Sequence, residues 1–384
     1  MFDFNYIDRK NTDCLKWDYF DDEIPMWVAD MDFRLAPAIL EAIENRARHP
    51  VFAYNKVPEE LYDSYISWWQ RRYDLKMERD ELLFATGVLA SITSILRVFT
   101  KEGDNVLLQT PVYHSFFHVI ENNNRNVLEN PLIFNDGRYS IDFDDLDKKL
   151  AHTKVFILCN PHNPIGKVWS RDELVKVYEI CLKNEIFIID DEIHHDLIMP
   201  GYVHTVMANV AEDAGMHMAV CTAPSKSFNL AGLQTASIII QNPEVYDRFK
   251  ASRLDGFRSV SNVLGMVACE AAYNHGGKWL DECIEVINRN SRYISEFVKA
   301  NMPEVKIFPL EGTYLLWCDC RALGLEKTEL EDFMTEKAYI FADEGYIFGD
   351  EGTGFERLNI ACPEQTVRET MDRFFDAYKK YIKK

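Results

Sequence analysis

Five short apolar runs punctuate the middle of the chain: NVLLQT (residues 105–110), KVFILCN (154–160), IFIID (186–190), MAVCTA (218–223) and SIIIQ (237–241). Their length and the longer amphipathic stretches between them predict buried, mostly parallel strands. One intervening stretch, SRDELVKVYEICLKN (170–184), opens with a capping serine and an acidic first turn, then carries apolar positions at helical spacing. Strand, helix and strand in this alternation predict an α/β fold: a three-layer α/β/α large domain with a mostly parallel sheet, with ligands beyond the carboxyl ends of the strands. The last hundred residues change character. A long helix through WLDECIEVINRNSRYISEFVKANM (279–302) precedes EGTYLLWCDC, another helix and a hairpin-like run near FADEGYIFGDEG. This pattern predicts a smaller α+β C-terminal domain. The opening residues, including WVADMDF (27–33), are too few for a core of their own and should dock on the rest. The division expected is 1–48 for the docking segment, 49–278 for the large domain and 279–384 for the small one.

Composition narrows the function classes. The chain has 384 residues, with 42 basic and 62 acidic side chains and a formal charge of −20, so a phosphate backbone is repelled and nucleic acid is not an expected partner. No stretch approaches the ~20 apolar residues of a membrane span, and the start, MFDFNYIDRK, carries acids where a signal peptide needs basic residues and an apolar run. A cytoplasmic protein is expected, with no membrane partner. Nine cysteines without CxxC spacing point to reduced thiols, with Cys318 and Cys320 packing a strand rather than binding metal.

Polar residues gather where the apolar runs end. TAPSKSFNLAGLQ sets Lys226 just beyond the run 218–223, with a hydroxyl on either side. A lysine buried at the ligand edge of a sheet, with its pKa lowered, is a nucleophile toward carbonyls; left in water it is one more solvated lysine. IFIIDDEIHHD ends its run in two aspartates, and Asp191 is placed to pair with a cationic ring nitrogen. At ~4 Å and an effective dielectric near 20, such a pair is worth about 4 kcal/mol. Asp190 and Glu192 read as a helix cap or surface carboxylates. Of His194 and His195, one is expected to donate a hydrogen bond in a pocket and the other to be packed or solvated. CNPHNPIG presents the Asn163 amide from a rigid turn, and FATGVLASITSILRVF sets Gly87 before a helix whose first amides, Val88 and Leu89, are free for a phosphate. TPVYHSFF offers the Tyr113 ring for stacking, and ERLNIACP offers Arg357, whose planar fork suits a carboxylate; alone, the first is a core aromatic and the second a surface ion pair.

Taken together, WVADMDF, AYNKVPEELYDSYISWW, TPVYHSFF, NPHNPIGKVW, DDEIHHDL, APSKSFNLAGLQ, GGKWL, EGTYLLW and GFERLNIACP resemble, in order, the pyridoxal-phosphate enzymes of the aspartate aminotransferase fold, and within them the MalY/PatB-like C–S lyases of the cystathionine β-lyase type. The resemblance spans nearly the whole chain. It implies pyridoxal 5'-phosphate as cofactor, Lys226 as the lysine that carries it, Asp191 as partner of the ring nitrogen, Asn163 as donor to the phenolic oxygen and Tyr113 as the stacking ring. His194 is the lyase-branch residue beside the cofactor. Val88, Leu89 and Ser225 would hold the phosphate, and Arg357 the substrate's α-carboxylate. Trp27 and Ala29 line the substrate side. Tyr54 matches a tyrosine that reaches the phosphate of the neighbouring subunit, which implies a homodimer with shared active sites. His194 departs from the tyrosine common in transaminases at that position. Gln234 stands where an arginine is common, and Glu364 replaces another arginine.

The activity implied is α,β-elimination on a sulfur amino acid, giving a thiol such as homocysteine, pyruvate and ammonia. A transaminase shares every step up to loss of the α-proton. A regulatory binding protein on the same fold is the reading of another class, and the complete set Lys226, Asp191, Asn163 and Arg357 argues against it.

Overall fold

The computed structural model describes residues 2–19, 21–210, 217–254 and 261–381. At its centre are seven strands: β1 Leu82–Ala85, β2 Asn105–Leu108, β3 Asn126–Glu129, β4 Val155–Cys159, β5 Phe187–Asp191, β6 Met218–Thr222 and β7 Ala236–Ile239. They form one sheet in the order β1-β7-β6-β5-β4-β2-β3. The pairs from β3 through β6 are parallel, as expected. The fifth run is not: β7 is antiparallel to both of its neighbours, β1 and β6. Hydrophobicity carries no strand direction, so a run buried on both faces looks the same either way. Because β7 is antiparallel to both, β1 runs with the rest, and its carboxyl end opens on the same edge as theirs.

Apolar side chains cover both faces of this sheet, in two separate clusters. Alternation along β5 shows the division: Ile188 joins one cluster while Phe187 and Ile189 join the other. Helices lie on both sides, among them α1 Glu59–Tyr73, α2 Val88–Phe99 and α3 Arg171–Lys183. The last begins as its sequence requires. The Ser170 hydroxyl accepts from the Glu173 amide, and the Glu173 carboxylate accepts from the Ser170 amide. A short helix, α4 Pro224–Ser227, follows β6 directly.

The later part of the chain holds α5 Gly277–Asn301, the terminal α6 Glu364–Tyr381 and a second, antiparallel sheet. Its strands are β8 Lys306–Ile307, β9 Leu315–Asp319, β10 Asp343–Glu344 and β11 Phe355–Asn359, in the order β8-β9-β11-β10. Cys318 and Cys320 are buried, at the end of β9 and just past it. In the opening segment Ile24–Pro25 pairs in parallel with Ile340–Phe341, and the Met31 amide donates to Asn229. Among the described residues no helix is long and apolar enough to cross a membrane.

Candidate active site

The carboxyl ends of β1, β2, β4, β5 and β6 converge on a cavity of about 670 Å³, closed on the far side by the second sheet and the opening segment. Of the residues that the resemblance assigns to the cofactor and substrate, all but Tyr54 line it: Lys226, Asp191, Asn163, His194, Tyr113, Val88, Leu89, Ser225, Arg357, Trp27 and Ala29. Tyr54 is fully exposed, between the exposed Val51 and Phe52 and the start of α1.

Lys226 comes from α4 rather than from a loop, so a helical turn fixes its backbone. Its Nζ donates to the carbonyl of Ala29 at 2.7 Å, and the Tyr314 hydroxyl donates to the same oxygen at 2.8 Å. Burial, reinforced by the nearby Arg357 cation, brings the amine down to about 8 against the opposing pull of Asp30 and Asp191. Asp191 ends β5, level with Cys159 on β4 and Cys221 on β6. Burial raises its carboxyl to about 7, although the Ile193 amide donates to Oδ1 at 3.0 Å and Lys226 also lowers it.

The neighbours of Asp191 correct the sequence reading. Asp190 and Glu192 are fully buried, because alternation turns them to the opposite face of the sheet from Asp191. Glu192 accepts from the Met207 amide at 2.9 Å and contacts His204 Nε2 at 3.0 Å. Burial works against its charge, but His204 and these hydrogen bonds hold its pKa below the ordinary value. Asp190 lies in the same environment, where burial and the adjacent carboxylates outweigh a hydrogen bond from Asn160 and push it well up. The two histidines divide between the cavity and the core. His194 faces the cavity with Nδ1 unpartnered, held neutral by burial and by the Lys226 and Arg357 cations. His195 packs away from it, stacked on Trp69 at 4.4 Å.

Behind the lysine stands a group the sequence reading left aside. Asp196 accepts from Ser227 Oγ at 2.7 Å, from the Tyr73 hydroxyl at 2.5 Å and from Trp68 Nε1 at 3.1 Å, and pairs with His195 Nε2 at 3.2 Å. Ser227 adjoins Lys226, so one carboxylate ties α1, the end of β5 and α4 together directly behind the amine. The only sequence signal for it was its place in DDEIHHDL.

Elsewhere on the cavity wall, the N-terminus of α2 opens on the cavity. Gly87 accepts the first helical hydrogen bond from Ser91, so the amides of Val88 and Leu89 precede the ladder. A Cβ on Gly87 would meet no atom within 4 Å, so the space before the helix is open.

Arg357 is no surface ion pair: it is buried in β11, between Trp317 on β9 and Asp343 on β10. Nη1 donates to Asn163 Oδ1 at 3.0 Å; Nη2 donates to the Trp27 carbonyl at 2.9 Å and to the Asp343 carboxylate. With its Oδ1 so engaged, Asn163 has its Nδ2 donor left for a ligand. His114, beside Tyr113, also lines the cavity, and burial together with Arg357 brings it down to about 4.

A lysine at the end of one strand, a carboxylate at the end of the next and an arginine from a second sheet, all on one cavity, define a class. Residues 22–374 match the family model described as aminotransferase class I and II, and the chain belongs to that family. Within it, the chain is 40% identical over 374 residues to cystathionine beta-lyase PatB of Bacillus subtilis, covering 95% of this chain and 97% of that one. It is 32% identical over 381 residues to protein MalY of Escherichia coli, covering 96% and 97%. Cystalysin from Treponema denticola, solved with a pyridoxal 5'-phosphate cofactor, matches with a TM-score of 0.96 and 41% identity over 99% of each chain. The resemblance read from the motifs is borne out.

Proposed function

We propose that this protein is a pyridoxal-phosphate-dependent C–S β-lyase that eliminates a thiol from sulfur amino acids, leaving pyruvate and ammonia. The observation that carries the reading is the shared cavity of Lys226, with its lowered pKa, and the buried Asp191. The donor set fits the cofactor. Helix-start amides suit a phosphate, the Asn163 amide suits a phenolic oxygen, and a buried carboxylate that forms no ion pair among the described residues suits a protonated ring nitrogen. Bound there, pyridoxal 5'-phosphate supplies an aldehyde that takes up an amine and a ring that accepts the electron pair left by an α-proton.

The chain's own residues do the rest. Val88, Leu89 and Ser225 would hold the phosphate, and Tyr113 would offer its ring face. Asp191 would keep a proton on the ring nitrogen, the ion pair offsetting the burial that raises its carboxyl to about 7. Arg357 orients the substrate by its carboxylate. Lys226 Nζ, neutral in a useful fraction near pH 7–8, would take the proton from the α-carbon. Trp27 and the Ala29 carbonyl close the substrate side against water. The preference for elimination over transamination rests on His194 and on the relatives named cystathionine beta-lyase. Tyr54, exposed on an extended stretch, is the residue we assign to the phosphate of a second copy, in a homodimer whose domains divide after residues 48 and 278. Free cysteines suit a cytoplasmic setting.

The test is direct. Purified protein with pyridoxal 5'-phosphate is given cystathionine with and without a keto acid, and pyruvate and free thiol are assayed. Release of both without keto acid is expected. Strict dependence on the keto acid would make it a transaminase, and no turnover in either arm would make it a binding protein.

A further inference from the structure

The guanidinium of Arg357 has five N–H donors, and the structure accounts for three of them. Nη2 has both engaged, one by the Trp27 carbonyl and one by the Asp343 carboxylate, and Nη1 has one engaged by Asn163. Nε is buried and has no hydrogen-bond partner among the described residues. A carboxylate docks on arginine in two parallel hydrogen bonds, either across Nη1 and Nη2 or across Nε and Nη2. Both modes use Nη2. The Trp27 carbonyl belongs to the backbone beside the pairing of Ile24–Pro25 with Ile340–Phe341 and is held by it. Asp343 meets Arg357 through its side chain, not its backbone, and lines the cavity wall.

We propose that Asp343 is a specificity-determining residue of the carboxylate subsite: it occupies the edge of Arg357 that an incoming α-carboxylate needs, and only a ligand able to displace it binds in two-point fashion. The inference rests on the proposed function, since Arg357 is taken there as the carboxylate clamp. The pair is well placed for this exchange. β10 and β11 set Asp343 directly opposite Arg357, so the contact forms without movement of either strand. The Arg357 guanidinium also lies over the Phe348 ring at 4.9 Å, which keeps its plane fixed when Asp343 leaves. Burial disfavours the Asp343 charge, so release of the arginine into the hands of another carboxylate leaves Asp343 with a protonated state within reach.

A residue that merely orients Arg357 gives the opposite sign on removal. The experiment uses the holoenzyme, with D343N and D343S as variants. Binding of L-alanine, which has no leaving group, and of ethylamine, its decarboxylated counterpart, is followed by the cofactor's absorbance and by calorimetry. The competing contact lowers apparent affinity by the fraction of time it is closed, so both variants should bind L-alanine roughly three- to tenfold more tightly, with ethylamine unchanged. Weaker or equal L-alanine binding, or the same gain with ethylamine, overturns the inference. If the wild-type protein neither takes up the cofactor nor releases thiol, the proposed function has failed instead. Holoenzyme that turns over normally but shows no gain in the variants separates this failure from that one.

Discussion

At the scale of single residues, the amine of Lys226 sets two measurable behaviours. Its ordinary pKa of 10.5 is brought to about 8 in the fold, so the unfolded chain binds more protons between those values. The burial penalty is therefore fully present below pH 8 and is relieved as pH rises toward 10.5. Lys226→Met should stabilise the protein without cofactor at pH 7, by up to about 3 kcal/mol, with the gain fading above pH 8; thermal unfolding from pH 6 to 10 checks this. The same substitution should abolish the visible absorbance of the lysine-bound cofactor. Asp191→Asn leaves shape intact but removes the charge that holds a ring proton, and should lower kcat by about a thousandfold or more, measured as thiol release. Lys226 and Asp191 were legible in the sequence because a strand end followed by small residues announces a ligand edge. The partner of Arg357 was not. Asp343 lies fourteen positions upstream, and only strand pairing brings the two side chains together.

Elements show how that site is braced. Asp196 draws donors from α1, from the end of β5 and from α4, so its removal strands the buried His195 and unties the turn that carries Lys226. Asp196→Ala should destabilise the protein by roughly 3–5 kcal/mol, read from denaturant midpoints. The pair has its own pH window. Burial opposes both charges, yet each partner offsets this for the other, and Asp196 is held at about 2 while His195 is raised. Its contribution is lost as pH falls from 3.8 toward 2, and again as pH rises past 6.5 through the raised histidine value. Helix α3 was readable to its first residue because a capping box is local chemistry. The direction of β7 was not, nor was β1, a four-residue strand that merges with the helix signal after it. Long-range pairing decides both.

For the whole molecule, the cavity belongs to no single unit: the large sheet contributes Lys226 and Asp191, the second sheet Arg357, and the opening segment the carbonyls of Trp27 and Ala29. Sedimentation should give twice the mass of one chain, and Tyr54→Phe should weaken retention of the cofactor on dialysis about tenfold without altering that mass. A monomer by sedimentation would remove the shared site. The motif order along the chain made this architecture readable, whereas burial of Asp190 and Glu192 was invisible in a row of three acids. That row has a consequence for how the gene can drift. Side chains on a strand alternate, so the loss or gain of one residue in the stretch before Asp190 would turn the wrong acid toward the cofactor cavity and push the other into the opposite layer. Substitutions that keep the count are tolerable there; insertions and deletions are lethal to chemistry even where they spare folding.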